Sequence, residues 1–444
     1  MKKKFHLLEL LTPFLITFIL VCSCTSNDAK KYVATSVAPL NAQLPVIDTL
    51  LNQTEADTYS WESFIALNWP ASKTNCVADT INGMSILSGK GPVVWETYLS
   101  SDQVFVSAPS TTDDWCSSDL SRHPQKVQDL ALKTGVQRFL HSTAKSPHSL
   151  DQASGGPLVD QNGRFVRYEK RMNQDEYNYI IKDTLWSLKG QKSFIAKGKP
   201  VNMPTGNNAG TDGAIEIKAA WKIIGNGDDP SRFYTIKAIV YNDGEEDPSP
   251  GKNPVTLGLV GLHIVHKVQD QKNWVWSTFE QEDNLTTSFF NKACDTCAAN
   301  KPLPGNNQKE LDSLGQPIYS PTQVTRVNAI KDPASDSLNR VYQKKLSGSV
   351  WANYKLISTQ WLIFEDITPF YLANSVQETY LQGPKPASYG GYKLKIDEQY
   401  YEDPRYKPFS PNTSSSCMGC HFIATLPGST LTSDFSFLFG DAQQ

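Results

Sequence analysis

Between Gly213 and Glu280 the chain carries four runs, 214–224, 232–242, 255–268 and 273–280. Each alternates apolar and polar residues or stays apolar throughout, and Gly, Asn, Asp and Pro lie between them. A side-chain period of two belongs to a strand, and strands joined by short loops pair antiparallel. The feature predicts an antiparallel sheet at the centre of the chain. Helical signals lie outside it. They cover 54–68 with Thr54 as cap, 173–188 with Asn173 and Glu176 as a capping box and Gly190 just past the end, 337–346, and 369–381. Residues 158–171 read as a hairpin turning at Asn162-Gly163, and 350–361 as extended. Long polar connections run over 107–156 and 299–335, and 384–411 is irregular. The expected class is α+β, an antiparallel β-sheet core with peripheral helices and long loops.

Composition narrows the partners rather than the fold. At 39% hydrophobic and 20% charged residues, 444 residues suffice for an ample core, which excludes a mainly disordered or fibrous chain. The net charge is −3 and no strongly basic tract occurs, so nucleic acid is not an expected partner.

The N-terminus reads as an address. Lys2, Lys3 and Lys4 precede an apolar stretch over 7–21 that Glu9, Thr12 and Pro13 interrupt. That is short for a membrane span, which needs about 20 residues, and fits an export signal. The stretch ends in Val21-Cys22-Ser23-Cys24, the pattern of a bacterial lipobox with Cys24 as the acylated first mature residue. Bulky Val21 before Cys22 makes Cys22 the weaker choice, and a plain signal peptide is the alternative. The expected organisation is a lipoprotein signal at 1–23, a polar tether at 24–50, and one composite unit at 51–444. The bilayer would be met through the N-terminal acyl anchor on the non-cytoplasmic side, with the outer membrane preferred because Thr25 follows Cys24.

The chemistry sits near the other end, in Cys417-Met418-Gly419-Cys420-His421. C-x-x-C-H is the spacing of c-type haem attachment. Two thiols one helical turn apart each add to a haem vinyl group, and the adjacent His lies under the iron. The alternative is a disulfide beside a His. The expected cofactor is one covalent haem c, with Cys417 and Cys420 as attachment residues and His421 as proximal iron ligand. Ser414 or Ser415 caps the helix expected to carry them, within a cytochrome c segment at 365–444 whose last short helix covers 432–438.

No Met or His follows His421, so a second axial ligand has to come from upstream: His123, His141, His148, His263, His266, Met84, Met172 or Met203. The first three lie in the polar connection, where a His is ordinarily solvated. His263 and His266 share the apolar run 258–266 and, three apart in a strand, face opposite sides. His263, deeper in that run, is the distal candidate, against the alternative of a hydrogen-bonded core residue. Trp274 and Trp276 can wall the haem or simply fill the core. Glu216 and Lys218 share a strand face, as a cross-strand ion pair or as polar groups above an open iron position. Glu280, Glu282 and Asp283 read as a solvated edge, with a metal or substrate site as the alternative.

Four cysteines remain: Cys76, Cys116, Cys294 and Cys297. In an exported chain two disulfides are expected, most simply Cys294–Cys297 and Cys76–Cys116, though spacing leaves the connectivity open and a zinc site is the alternative. Cys294-Asp295-Thr296-Cys297 precedes Ala298 instead of His, which excludes a second haem site of the usual kind.

Several stretches resemble a family of large, single-haem, exported bacterial proteins of the c-type. They are Phe64-Ile65-Ala66-Leu67-Asn68-Trp69-Pro70, Val94-Trp95-Glu96-Thr97, Leu158-Val159-Asp160-Gln161-Asn162-Gly163, and the runs 213–221, 258–267 and 274–284. Leu372-Ala373-Asn374, Glu378-Thr379-Tyr380, the run 416–421 and Asp434-Phe435-Ser436-Phe437-Leu438 complete them. The resemblance spans most of the mature chain. It implies covalent haem at Cys417 and Cys420 with His421 on the iron, within one architecture built around the haem, and it implies no particular reaction. Electron transfer with an unidentified redox partner protein is the expected function. The alternatives are a haem oxidoreductase or gas-binding protein with an open distal site, and a binding module in which haem is structural. No Ser-His-Asp order, phosphate loop, Rossmann fingerprint or zinc-protease helix points to another class.

Overall fold

A computed structural model describes residues 39–46, 52–105 apart from 82–83 and 89–90, Trp115, 125–140 apart from 137, 156–241 apart from 208–209, and 253–302 apart from 270–273 and 295. It further describes 308–311, 317–327, 333–361, 374–381, 394–396, 399–401, Cys417, His421 and 424–442. All of these belong to one unit, 36–444.

The core is an eight-stranded, largely antiparallel sheet. Its strands are β1 (Leu99–Ser100), β2 (Phe139–Leu140), β3 (Arg167–Met172), β4 (Ile215–Ile223), β5 (Thr235–Val240), β6 (Val255–His266), β7 (Val275–Gln281) and β8 (Tyr354–Gln360). The four central runs expected from the sequence are β4 to β7. The order begins β1-β3-β4-β6. β6 is long enough for two partners on its far edge: its first residues pair with β5, and Gly261 to His266 pair with β7, which carries β8. One strand shared by two partners makes the sheet curl. The short β2 joins β5 in a parallel pairing. The class is thus α+β.

The helices are peripheral: α1 (Gln53–Leu67), α2 (Gln125–Thr134), α3 (Gln174–Lys182), α4 (Leu188–Ile195) and α5 (Pro333–Lys345). Three expectations are corrected here. Asn52, not Thr54, caps α1, its side chain accepting from the Glu55 amide. The helix expected over 173–188 is two. Asn173 caps α3 as expected, without the Glu176 half of the capping box, since the Asn173 amide bonds to the Ile215 carbonyl; Thr184 then takes a left-handed conformation (φ 54°) and the chain turns there. Ser187 then caps α4, and Gly190 lies inside it, where a Cβ would stand 1.7 Å from the Thr184 carbonyl oxygen. Residues 374–381 are a string of turns rather than a helix, because Asn374, Ser375 and Gln377 bond to the sheet.

The two faces of the sheet differ in chemistry. Ile215, Ile217, Ala219 and Trp221 of β4 and Leu262 and Ile264 of β6 point to one face, where α1 and α5 cover them with Trp61, Phe64, Leu338 and Tyr342. Burial of these large apolar side chains is the main stabilising term. The opposite face carries Glu216, Lys218, Val265, His263, Trp276 and Thr278. Cross-strand register aligns Lys170, Lys218, His263 and Thr278 in one row across β3, β4, β6 and β7. The C-terminal residues pack on this second, more polar face.

The covering face also holds a buried ionic knot. The Arg138 guanidinium lies 5.5 Å and 5.4 Å from the ring centres of Trp95 and Trp221 and pairs with Glu96 and Glu169. Burial opposes ionisation of Glu169, but Arg138 and Arg171 outweigh it and hold the carboxyl down at about 2. Elsewhere, Asp160 and Lys222 are buried together 3.6 Å apart, and burial pushes Asp160 up to about 6 against the pull of that lysine.

Candidate functional site

Cys417 is buried in an apolar cluster with Val265, Trp274, Trp276, Leu426, Leu438 and Phe439. Sheet and C-terminal residues therefore pack into one apolar cluster. His421 sits on the same surface, its ring centre 4.5 Å from that of Trp276 and 4.9 Å from that of Phe437. Its Nδ1–H donates to the Phe435 carbonyl at 2.7 Å. Burial lowers the imidazole to about 4, and Lys218 and His263 push the same way, so the ring is neutral at pH 7. A neutral ring whose Nδ1 keeps the proton presents the Nε2 lone pair as a ligand atom, oriented by a backbone carbonyl.

The carbonyl is aimed by an unusual turn. Asp434 and Phe435 are consecutive non-glycine residues in the left-handed region (φ 54° and 67°), a conformation that costs of order 1–3 kcal/mol each and persists only when its surroundings enforce it. The Asp434 carboxylate supplies that enforcement. It accepts from Lys267 Nζ at 2.5 Å, the Met203 amide at 2.7 Å and Trp274 Nε1 at 3.4 Å. The helix expected over 432–438 is therefore absent, and a single 3₁₀ turn follows at Leu438–Asp441.

His263 and His266 face opposite sides of β6. His266 is a core residue: Tyr59 lies 2.5 Å from Nδ1, the Asp212 carbonyl 2.6 Å from Nε2, and burial lowers the ring to about 4. Both ring nitrogens are occupied. His263 shares the second face with His421, and its Nε2 lies 2.7 Å from Glu378 Oε1. Glu378 also accepts from the Asn374 amide at 3.0 Å, which locks the carboxylate. Lys218, next to His263 in register, holds its ammonium 5.0 Å from the Tyr168 ring centre.

Met172 and Met203 are buried in the cluster that contains Cys417, whereas Met84 is half-buried elsewhere. His123, His141, His148, Cys116 and Cys420 lie outside the described residues, as do 1–38 with Cys24. Cys294 and Cys297 form a disulfide, and Cys76 is disulfide-bonded. Glu280 is no solvated edge. It is buried, paired with Arg326 at 2.6 Å and bonded by Ser375. Glu216 does not form the expected pair with Lys218; its hydrogen-bond partners are Ser436 and Glu176.

Sequence reading missed Asp434, Glu378 and Glu176. Asp434 and Glu378 lie in stretches whose apolar spacing suggests helix, and the sequence offers Glu176 an ordinary role in a capping box that the structure does not form, because the Asn173 amide bonds to the Ile215 carbonyl instead. Nothing local marks any of the three.

The residues present fit a c-type haem on two counts: the proton on Nδ1 of His421 is engaged by a carbonyl, and the walls are indole and aliphatic. No family model matches the chain, and no curated protein or solved structure is similar to it. Among the described residues no helix is long and apolar enough to cross a membrane, and no three His, Cys, Asp or Glu side chains cluster to hold a metal ion.

Proposed function

We propose that this chain is an exported, lipid-tethered c-type haem protein with a redox function, most simply electron transfer to and from a partner protein. The carrying observation is the hydrogen bond from His421 Nδ1 to Phe435, which leaves Nε2 for iron. Cys417 and Cys420 hold the haem by thioether bonds from a short C-terminal helix, and Cys24 carries the lipid, with the outer membrane as preferred site. Bound haem supplies a one-electron couple; the protein sets its potential through burial, axial ligation and hydrogen bonds. Trp274, Trp276 and Phe439 exclude water from the attachment side, and the Phe435 carbonyl raises the basicity of the His421 ring.

A second reading, a haem enzyme or gas-binding protein with an open iron position, is favoured by one contact. His263 Nε2 already faces Glu378, so His263 and Lys218 would serve a bound haem as polar groups on this face rather than as iron ligands.

The test is the pyridine haemochrome of protein from cells competent in cytochrome c maturation, with Cys417→Ala/Cys420→Ala as control. Covalent haem in wild type and none in the variant is expected. Haem retained by the variant, or none in wild type, would sink the proposal. Carbon monoxide added to the dithionite-reduced protein then separates the readings. An unchanged spectrum supports electron transfer, and a shifted Soret band supports the open site.

A further inference from the structure

Glu176 of α3 and Glu216 of β4 meet on the second face of the sheet. Glu176 is fully buried, and neither of its carboxylate oxygens has an N–H or O–H donor from the protein; Glu216 Oε1 is buried in the same condition. The two carboxyls instead face each other at hydrogen-bond distance. An ionised carboxylate only accepts, so two of them can bond only by sharing a proton. Ser436 donates to Glu216, and its neighbour Phe435 gives the carbonyl that orients His421. The acid pair and the iron ligand thus hang on one strained turn.

We propose that Glu176 and Glu216 form a proton-binding site coupled to the haem, taking up one proton from solvent when the iron gains one electron from a one-electron donor. The proposal rests on the haem reading above. In the oxidised state the pair holds one proton between two carboxylates. Reduction of a haem held at Cys417 and His421 would add one negative charge, and the second carboxylate would then take up a proton: one electron and one proton enter, and no other bond changes. Burial, then Glu216 itself, raises Glu176 well above the carboxylate range, and burial pushes Glu216 up to about 7. The charged groups facing the pair are Asp434 from the C-terminal turn and Lys170 from β3. Lys170 is itself paired with Asp441 and Asp434 with Lys267, and Lys218 lies two residues along β4 on the same face. Asp434 and Lys170, the charges that face the pair, are each offset by their own partner, which leaves the pair as the group that responds to an added charge.

The experiment is a spectroelectrochemical titration of the lipid-free holoprotein between pH 5 and 9, with a reduced-minus-oxidised infrared difference spectrum. A midpoint potential that falls by up to about 59 mV per tenfold fall in proton activity is expected around pH 7. A carboxylic-acid C=O band should appear on reduction. Glu176→Gln and Glu216→Gln, nearly isosteric, should each flatten the slope and remove the band. A wild-type potential independent of pH, or a slope and band that survive both variants, would overturn the proposal. Wild type alone decides if the variants do not fold. Absence of covalent haem would defeat the haem reading itself, and that outcome is told apart by the pyridine haemochrome.

Discussion

The carboxylate of Asp434 and the ammonium of Lys267 meet at 2.5 Å between the C-terminal turn and the end of β6. This contact ties the left-handed turn, and through Phe435 the ring of His421, to the rigid centre of the sheet. A motif in a sequence-distant tail is thereby tied to the sheet by a mostly buried ion pair, with Lys170–Asp441 as a second tie.

Asp434→Ala is expected to cost about 3 kcal/mol in urea unfolding, because Lys267 would be left buried without its carboxylate and the turn would lose three bonds. Asp434→Asn should lose less. A loss under about 1 kcal/mol for the alanine variant would mean that the turn is held by other contacts.

Gly261 of β6 is where residues 374–381 approach the sheet. A Cβ there would stand 2.8 Å from Val376 Cγ2 and 3.3 Å from Gln377 Nε2. Gly261→Val should cost about 1–3 kcal/mol by overpacking and speed amide exchange across 374–381. Unchanged exchange there would refute the close approach.

His266 has its folded pKa lowered from 6.5 to about 4 by burial, so below pH 6.5 the unfolded chain binds the extra proton and the native state loses stability as pH falls. Over that window the loss from this residue is up to about 3 kcal/mol. His266→Gln should reduce the drop in unfolding free energy between pH 6.5 and 4 by that amount, whatever its effect at pH 7. An identical drop in both proteins would show that His266 titrates normally.

Cys24→Ala should move the protein from washed membranes to the soluble exported fraction. Retention on membranes after the change would rule out acylation at Cys24 as the anchor.

β4 to β7 were legible as long runs that alternate or stay apolar, and β8 as an extended segment, because such patterns survive any tertiary context that buries one face or both. α1 and α5 were legible for the same reason at the helical period. The errors over 173–188 and 432–438 have a common cause. Thr184, Asp434 and Phe435 adopt left-handed conformations without being glycine, and local propensity carries no sign of that. The turns at 374–381 were read as helix because their polar side chains have partners more than ninety residues away. Cys420 and most of the attachment segment lie outside the described residues.

By itself the sequence determined an antiparallel sheet within an α+β class and the C-x-x-C-H pattern at its tail, since both are written in short-range spacing. Only the tertiary structure decided which sheet face receives that tail, that His266 is a core residue while His263 meets Glu378, and that Glu176 lies against Glu216. Those are contacts between residues far apart in the chain. They depend on strand register and on which groups share a buried, low-dielectric space, and no local pattern encodes either.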